Sequence, residues 1–142
     1  MQRDSYLESR VLAADPVELI HILYEHTLTQ VRAARTARAS NDIRGGSQAI
    51  CKALKAIGEL EAALDHNAGG SISRNLARLY RYMRRRLTDA NVRRDQSALA
   101  EVESLILTLD EGWTAMQHAT ALPAAPAYTL AATETLEHAW SA

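Results

Sequence analysis

Apolar residues recur at helical spacing in four successive stretches of this chain, with polar residues between them. The third and fourth stretches show steps of three and four most clearly: Ile72, Leu76, Leu79, Met83, Leu87 and Ala90, then Leu99, Val102, Ile106, Leu109, Trp113 and Met116. Such spacing places apolar side chains on one face of a helix. Asp95 lies in the break and is expected to cap the fourth helix. The pattern therefore predicts two antiparallel amphipathic helices.

The first half of the chain predicts two further helices. Asp15, Pro16 and Glu18 form a capping-box sequence with proline at the first helical position, and the following apolar residues indicate a helix over 16–39. These residues cover more than one face, which predicts contact with something besides the bundle core. A second apolar stripe predicts a helix over 43–65, ending at a glycine pair in which one glycine is expected to be left-handed.

Four long helices joined by short turns predict an all-α fold, an antiparallel up-and-down four-helix bundle. The expected bounds are 16–39, 43–65, 70–93 and 96–118, after a flexible N-terminal segment over 1–14 and before an Ala/Pro linker and tail over 119–142. Leu136 and Trp140 in that tail have the spacing of a short extra helix. Such a helix could occupy a groove of the same molecule and inhibit binding of a partner.

Composition restricts the class of protein. The 142 residues suffice for about one domain, and they contain no phenylalanine, only three prolines and many alanines, leucines and arginines, which favours helix. A single cysteine, Cys51, cannot form an internal disulfide, and no stretch reaches the ~20 apolar residues that would cross a bilayer. We therefore expect a cytoplasmic protein without membrane insertion.

Charge is distributed unevenly, although the formal net charge is only −1. A basic stripe lies about 200° around the third predicted helix from its apolar face. It consists of Arg74, Arg78, Arg81 and Arg85. The stripe is either a solvated face, where each ion pair is worth ~0–1 kcal/mol, or a patch for an acidic partner or nucleic acid. Few aromatic residues that could stack on bases accompany it, so no nucleic acid is expected as the main partner.

No pattern in the sequence predicts catalysis. Glu18 and His21 have the i, i+3 spacing that di-iron bundles use, but the chain has no second such pair. The other histidines are scattered, and neither a GxSxG nucleophile turn nor a GxxxxGK phosphate loop is present. We therefore expect no catalytic residue, no metal and no cofactor. The alternative of a di-iron or other metalloenzyme on a similar bundle would require that the purified protein contain a stoichiometric amount of metal.

Two segments resemble the FliS family of flagellar chaperones. They are YLESRVLAADPVELIHILYE at 6–25 and GGSISRNLARLYRYMRRRLTDANVRRDQSALAEVESLILTLDEGW at 69–113. FliS proteins are cytoplasmic, non-enzymatic four-helix bundles. They bind the disordered C-terminal segment of flagellin, prevent its premature polymerisation and assist its delivery to the type III export apparatus. The resemblance implies the same function here, in a bacterial cytoplasm.

The resemblance also implies a flagellin groove. In the family the N-terminal segment and its aromatic residue lie over part of that groove, so Tyr6 is expected to be a movable cap. The expected groove residues are Tyr6, Val11, Leu12, Leu19, Leu23, Tyr24, Ile57, Leu64, Tyr80, Met83 and Leu87. Arg81 and His26 depart from the family pattern, which has an acidic residue and a glycine at these positions.

Further partners and one alternative function remain open. The resemblance allows contacts with an export-gate component and an anti-sigma factor, and it leaves a homodimer open. The alternative is a nucleic-acid or acidic-protein adaptor that uses the basic stretch from Arg74 to Arg94.

Overall fold

The computed structural model describes residues 5–9 and 16–119, and four long helices form its core. They are α1 (Pro16–Ala39), α2 (Ile43–Ala62), α3 (His66–Arg93) and α4 (Gln96–Ala119). Connections of two or three residues make consecutive helices antiparallel. Each helix packs against the next and α4 packs against α1, whereas the backbones of described helices at opposite corners stay apart. The expected all-α bundle is confirmed.

The apolar stripes of the four helices meet in one continuous core. Its largest fully buried side chains include Leu19, Leu23 and Tyr24 of α1, Ile50, Ile57 and Leu60 of α2, Tyr80, Met83 and Leu87 of α3, and Leu99 of α4. Full burial of a leucine- or isoleucine-sized side chain is worth about 1.5–3 kcal/mol. This core therefore supplies the main driving force for the bundle.

Aspartates cap three of the helices. Asp42 precedes α2, Asp65 precedes α3 and Asp95 precedes α4. Asp95 accepts hydrogen bonds from the amides of Ser97 and Ala98 at 3.0 and 3.3 Å. These caps satisfy amides that have no carbonyl partner within the helix. The prediction for Asp95 is confirmed, whereas Asp15 lies outside the described residues.

The boundary between α2 and α3 differs from the predicted one. α2 already ends at Ala62, and α3 begins at His66, because Asp65 caps α3 one turn before the glycine pair. Gly70 has a left-handed φ of 53°, but with ψ at −124° it kinks α3. The Ser73 hydroxyl donates to the Asp65 carbonyl across this kink, at 2.9 Å. The expectation of a left-handed glycine at the end of α2 was wrong.

Some predicted features fall beyond this part of the chain. Val11 and Leu12 are not among the described residues, and neither are Leu136 and Trp140 of the tail. Of the helices that are described, none combines the length and apolar character that crossing a membrane requires.

Candidate functional site

A short helical turn, residues 5–9, lies beside α1 and α2. Leu7 anchors it: this side chain is only 8% exposed and belongs to the core, whereas Tyr6 is 65% exposed. A cavity of about 480 Å³ lies between the turn and the helices, lined in part by Tyr6, Leu7, Ile22, Leu28 and Lys52. The broad apolar surface of α1 is thus covered partly by a segment outside the four helices.

A larger groove, of about 1030 Å³, lies between α2 and α3. Four arginines line it together with one leucine of α2: Arg78, Arg81, Arg84, Arg85 and Leu54. Arg74, the first residue of the basic stripe, does not line it. Glu61 accepts from Arg81 and Arg84, with both N–O distances at 3.1 Å. We call this feature the arginine groove.

A polar cluster joins α3 to α4. The Tyr82 hydroxyl donates to both carboxylate oxygens of Glu101, at 2.8 and 2.9 Å, and Arg86 Nε donates to Oε1 at 2.7 Å. The hydrogen bonds from Arg86 and Tyr82 lower the pKa of Glu101, while the bond to Glu101 raises the pKa of Tyr82. The Ser97 hydroxyl is the main cause that lowers the pKa of Asp95. Arg86 therefore joins α3 to α4, whereas Arg81 and Arg84 join α3 to Glu61 of α2.

His21 also has a structural use. Its Nδ1 lies 2.6 Å from Asp110 Oδ1 of α4, and its Nε2 lies 3.1 Å from Glu25 Oε1, one turn further along α1. Both ring nitrogens thus face carboxylates. Within residues 5–9 and 16–119, no group of three or more histidine, cysteine or acidic side chains is arranged to hold a metal ion. The His21 side chain, which the sequence placed in a metal-binding spacing with Glu18, is used in this structure for a contact between α1 and α4.

A third surface is apolar and lies along α3 and α4. Ile72 of α3 and Met116 of α4 are exposed, and four leucines of the same two helices are partly buried against the core: Leu76, Leu79, Leu105 and Leu109. Helical spacing places Leu79 on the side of α3 that carries Arg86, and Leu105 on the side of α4 that carries Glu101. We call this feature the apolar seam.

Similar proteins now identify the family. The profile described as "Flagellar protein FliS" matches residues 1–120. The flagellar secretion chaperone FliS of Salmonella typhimurium is 39% identical over 108 residues, which cover 75% of this chain and 80% of the relative. FliSB of Pseudomonas aeruginosa is also 39% identical, over 112 residues, 79% of this chain and 89% of the relative. FliS of Bacillus subtilis is 33% identical over 109 residues, 77% and 80% of the two chains. The chain belongs to the FliS family.

The bundle buries most of the residues that were expected to form the groove. Leu19, Leu23, Tyr24, Ile57, Tyr80, Met83 and Leu87 are at most 2% exposed, and Leu64 is 8% exposed. Of the expected set, Tyr6 is the one described residue at the surface. A partner reaches the buried side chains only if the helices or the N-terminal turn move. Their role in binding a partner therefore stays a prediction.

The sequence pattern indicated Tyr6 but not Leu7 as a residue of this site. A five-residue turn contains too few apolar positions to show a helical period, so helical spacing could not identify Leu7 as a buried anchor. The two departures from the family pattern also have places in the structure. His26 lines the cavity beside the N-terminal turn, and Arg81 bonds to Glu61 in the arginine groove.

Proposed function

We propose that this protein is a flagellar export chaperone. In this role it binds the disordered C-terminal segment of flagellin in the cytoplasm, prevents premature polymerisation and assists delivery to the type III export apparatus. Membership of the FliS family carries the proposal, because relatives from three bacteria are named flagellar secretion chaperones. Binding is the proposed activity, with no chemical step. An export-gate component and an anti-sigma factor are proposed as further partners.

The physical basis is shared burial of apolar surface. A disordered segment cannot bury enough apolar surface alone, but it can fold as a helix and lay its apolar face on the bundle. Two surfaces suit this: the cavity beside the N-terminal turn and the apolar seam of α3 and α4. A segment that wraps the bundle would use both.

The N-terminal turn is the proposed movable cap of this site. Its buried anchor is one leucine, Leu7, whose burial is worth about 1.5–3 kcal/mol. A helix of five residues is too short to be stable by itself. A client helix that brings several apolar side chains could therefore displace the turn and contact Ile22 and Leu28 beneath it.

Flagellin polymerisation tests the function. Monomeric flagellin from the same organism would be brought to polymerising conditions with and without the full chain, and light scattering would be followed. We expect suppression at equimolar chaperone, and recovery when excess free C-terminal segment occupies the chaperone. The free segment with flagellin alone is the control. Normal polymerisation in the presence of excess chaperone would contradict the proposal.

The cap can be tested separately with two neighbouring residues. Leu7→Ser should tighten flagellin-segment binding by about tenfold or more, because a client would no longer have to displace a buried leucine. Tyr6→Ala is the matched control, and a much smaller change is expected because Tyr6 is largely exposed. Weaker binding by Leu7→Ser would show instead that the turn is part of the client's contact surface.

A further inference from the structure

We infer that the arginine groove is a second docking surface, and that its occupant is an acidic helical segment of a partner protein. The groove lies on the α2–α3 face, whereas the N-terminal turn covers the cavity lined by α1 and α2. The inference therefore concerns a different surface from the proposed cap site. Three features of the groove support it: the charges of its arginines, the apolar side chain of Leu54 and the spacing of the arginines along α3.

The groove carries unbalanced positive charge. Arg81 and Arg84 share one carboxylate, Glu61. Arg78 and Arg85 are exposed, and the part of the chain that the structure describes contains no carboxylate within ion-pair distance of either. Like charges at i, i+3 and i+4 destabilise a helix. The chain concentrates them here although its formal net charge is −1.

The floor of the groove is partly apolar. Leu54 of α2 lines it and is only partly buried against the core. Helical spacing places Gly58 between Leu54 and Glu61 on the same side of α2. A methyl group at Gly58 would meet no atom within 4 Å, so space is open beside Leu54. An apolar side chain of a partner could therefore lie on Leu54 while carboxylates meet the arginines.

The spacing of the arginines fits a helix. Arg78, Arg81 and Arg85 follow each other at i, i+3 and i+7, about 10 Å along α3 at 1.5 Å per residue. A partner helix with carboxylates at the same spacing would present them at matching intervals. Guanidinium groups bind carboxylates through two parallel hydrogen bonds, which adds geometric specificity to the charge.

Features of the groove favour a protein over a nucleic acid. The neighbouring aromatic ring, Tyr82, has the Arg85 guanidinium 6.0 Å from its centroid, and its hydroxyl is bonded to Glu101. It is therefore poorly placed to stack on a base. The apolar side chain of Leu54 in the floor of the groove offers no hydrogen bond or charge to a phosphate backbone.

Three probes of matched charge test the inference with the full chain. The first is a synthetic helical peptide that carries glutamates at i, i+3 and i+7 and a leucine on the same face. The second is a scrambled peptide of identical composition. The third is a single-stranded DNA oligonucleotide of equal charge. Binding would be followed by fluorescence anisotropy at physiological salt, where only the patterned peptide is expected to bind well.

Variants then locate the site. Arg78→Glu with Arg85→Glu should weaken binding of the patterned peptide by at least about tenfold, because attraction becomes like-charge repulsion. Arg44→Glu with Arg93→Glu changes the net charge equally at exposed residues outside the groove and should leave the affinity within about twofold. Arg78→Gln with Arg85→Gln removes the charges with less risk to folding and should give an intermediate loss.

Several results would overturn the inference. These are absence of binding by the patterned peptide, equally tight binding of the scrambled peptide or the oligonucleotide, and equal losses in the groove variant and the control variant. Failure of the chaperone proposal gives a different result, because flagellin polymerisation would then continue normally while the patterned peptide still bound.

Discussion

The hydroxyls of Tyr24 and Tyr80 meet at 2.7 Å in the core, although the two residues project from helices at opposite corners of the bundle. Burial, then the proximity of Tyr80, raises the pKa of Tyr24 above its usual value. Removing the Tyr80 hydroxyl would leave the buried Tyr24 hydroxyl without this partner. Tyr80→Phe should therefore destabilise the bundle by about 1–3 kcal/mol.

The double variant provides the control for this pair. Tyr24→Phe with Tyr80→Phe should cost much less than the sum of the single changes, because both ends of the hydrogen bond are replaced by apolar groups of similar shape. Urea unfolding of the four proteins gives the coupling free energy as a double-mutant cycle. Additive losses would contradict a hydrogen bond between the two hydroxyls.

For single residues, the sequence predicts which side chains are exposed better than it predicts which side chains contact each other. All four arginines of the basic stripe are exposed, as their position opposite the apolar face suggested. Tyr24 and Tyr80 were expected to line the flagellin groove that the resemblance to the FliS family implies, but both are buried in the core. Helical spacing gives the face but not which side chains of distant helices meet, and this pair is 56 residues apart in sequence.

Two glycines give opposite predictions at the scale of the helices. Gly70 kinks α3 with φ at 53° and ψ at −124°, which a residue with a Cβ atom adopts only at a cost. Gly70→Ala should therefore lower the free energy of unfolding by about 1–3 kcal/mol. Gly58→Ala in α2 has open space around the new methyl group and should raise it by about 0.5–1 kcal/mol. Thermal and urea unfolding would check both, and a stabilising Gly70→Ala would contradict the kink.

Acidification should loosen the joint between α3 and α4. The pKa values of Glu101 and Asp95 are lowered in the folded protein, so their contribution is present above the unfolded values of about 4. It is lost as the pH falls through the folded values. Between about pH 5 and pH 3, stability should fall more steeply in the wild type than in Glu101→Gln. If the urea midpoint fell equally steeply with pH in the wild type and in Glu101→Gln, the role given to Glu101 would be contradicted.

Local chemistry decides which helix ends are predictable. The start of α4 follows from Asp95, whose side chain reaches amides two and three residues ahead and needs no tertiary information. The boundary between α2 and α3 was misplaced because a glycine pair usually marks a helix end. Asp65 caps the new helix before those glycines, so the chain bends at Gly70 without ending α3.

The bundle as a whole could be predicted from the period of its apolar residues and from its short connections. The surfaces of the bundle could not, because they depend on how neighbouring helices combine. Leu7 becomes an anchor only when α1 and α2 are beside it, and the arginine groove exists only because Leu54 of α2 lies next to the α3 stripe. The predicted tail helix around Leu136 and Trp140 is a separate expectation outside the described residues.

The central claim, that this bundle binds the disordered C-terminal segment of flagellin, is tested most directly by titration calorimetry. The full chain would be titrated with that segment from the same organism at several temperatures. The account predicts one-to-one binding with a negative heat-capacity change, since apolar surface is buried as the segment folds on the bundle. Absence of binding at every temperature, under conditions where circular dichroism shows the chain folded, would contradict it.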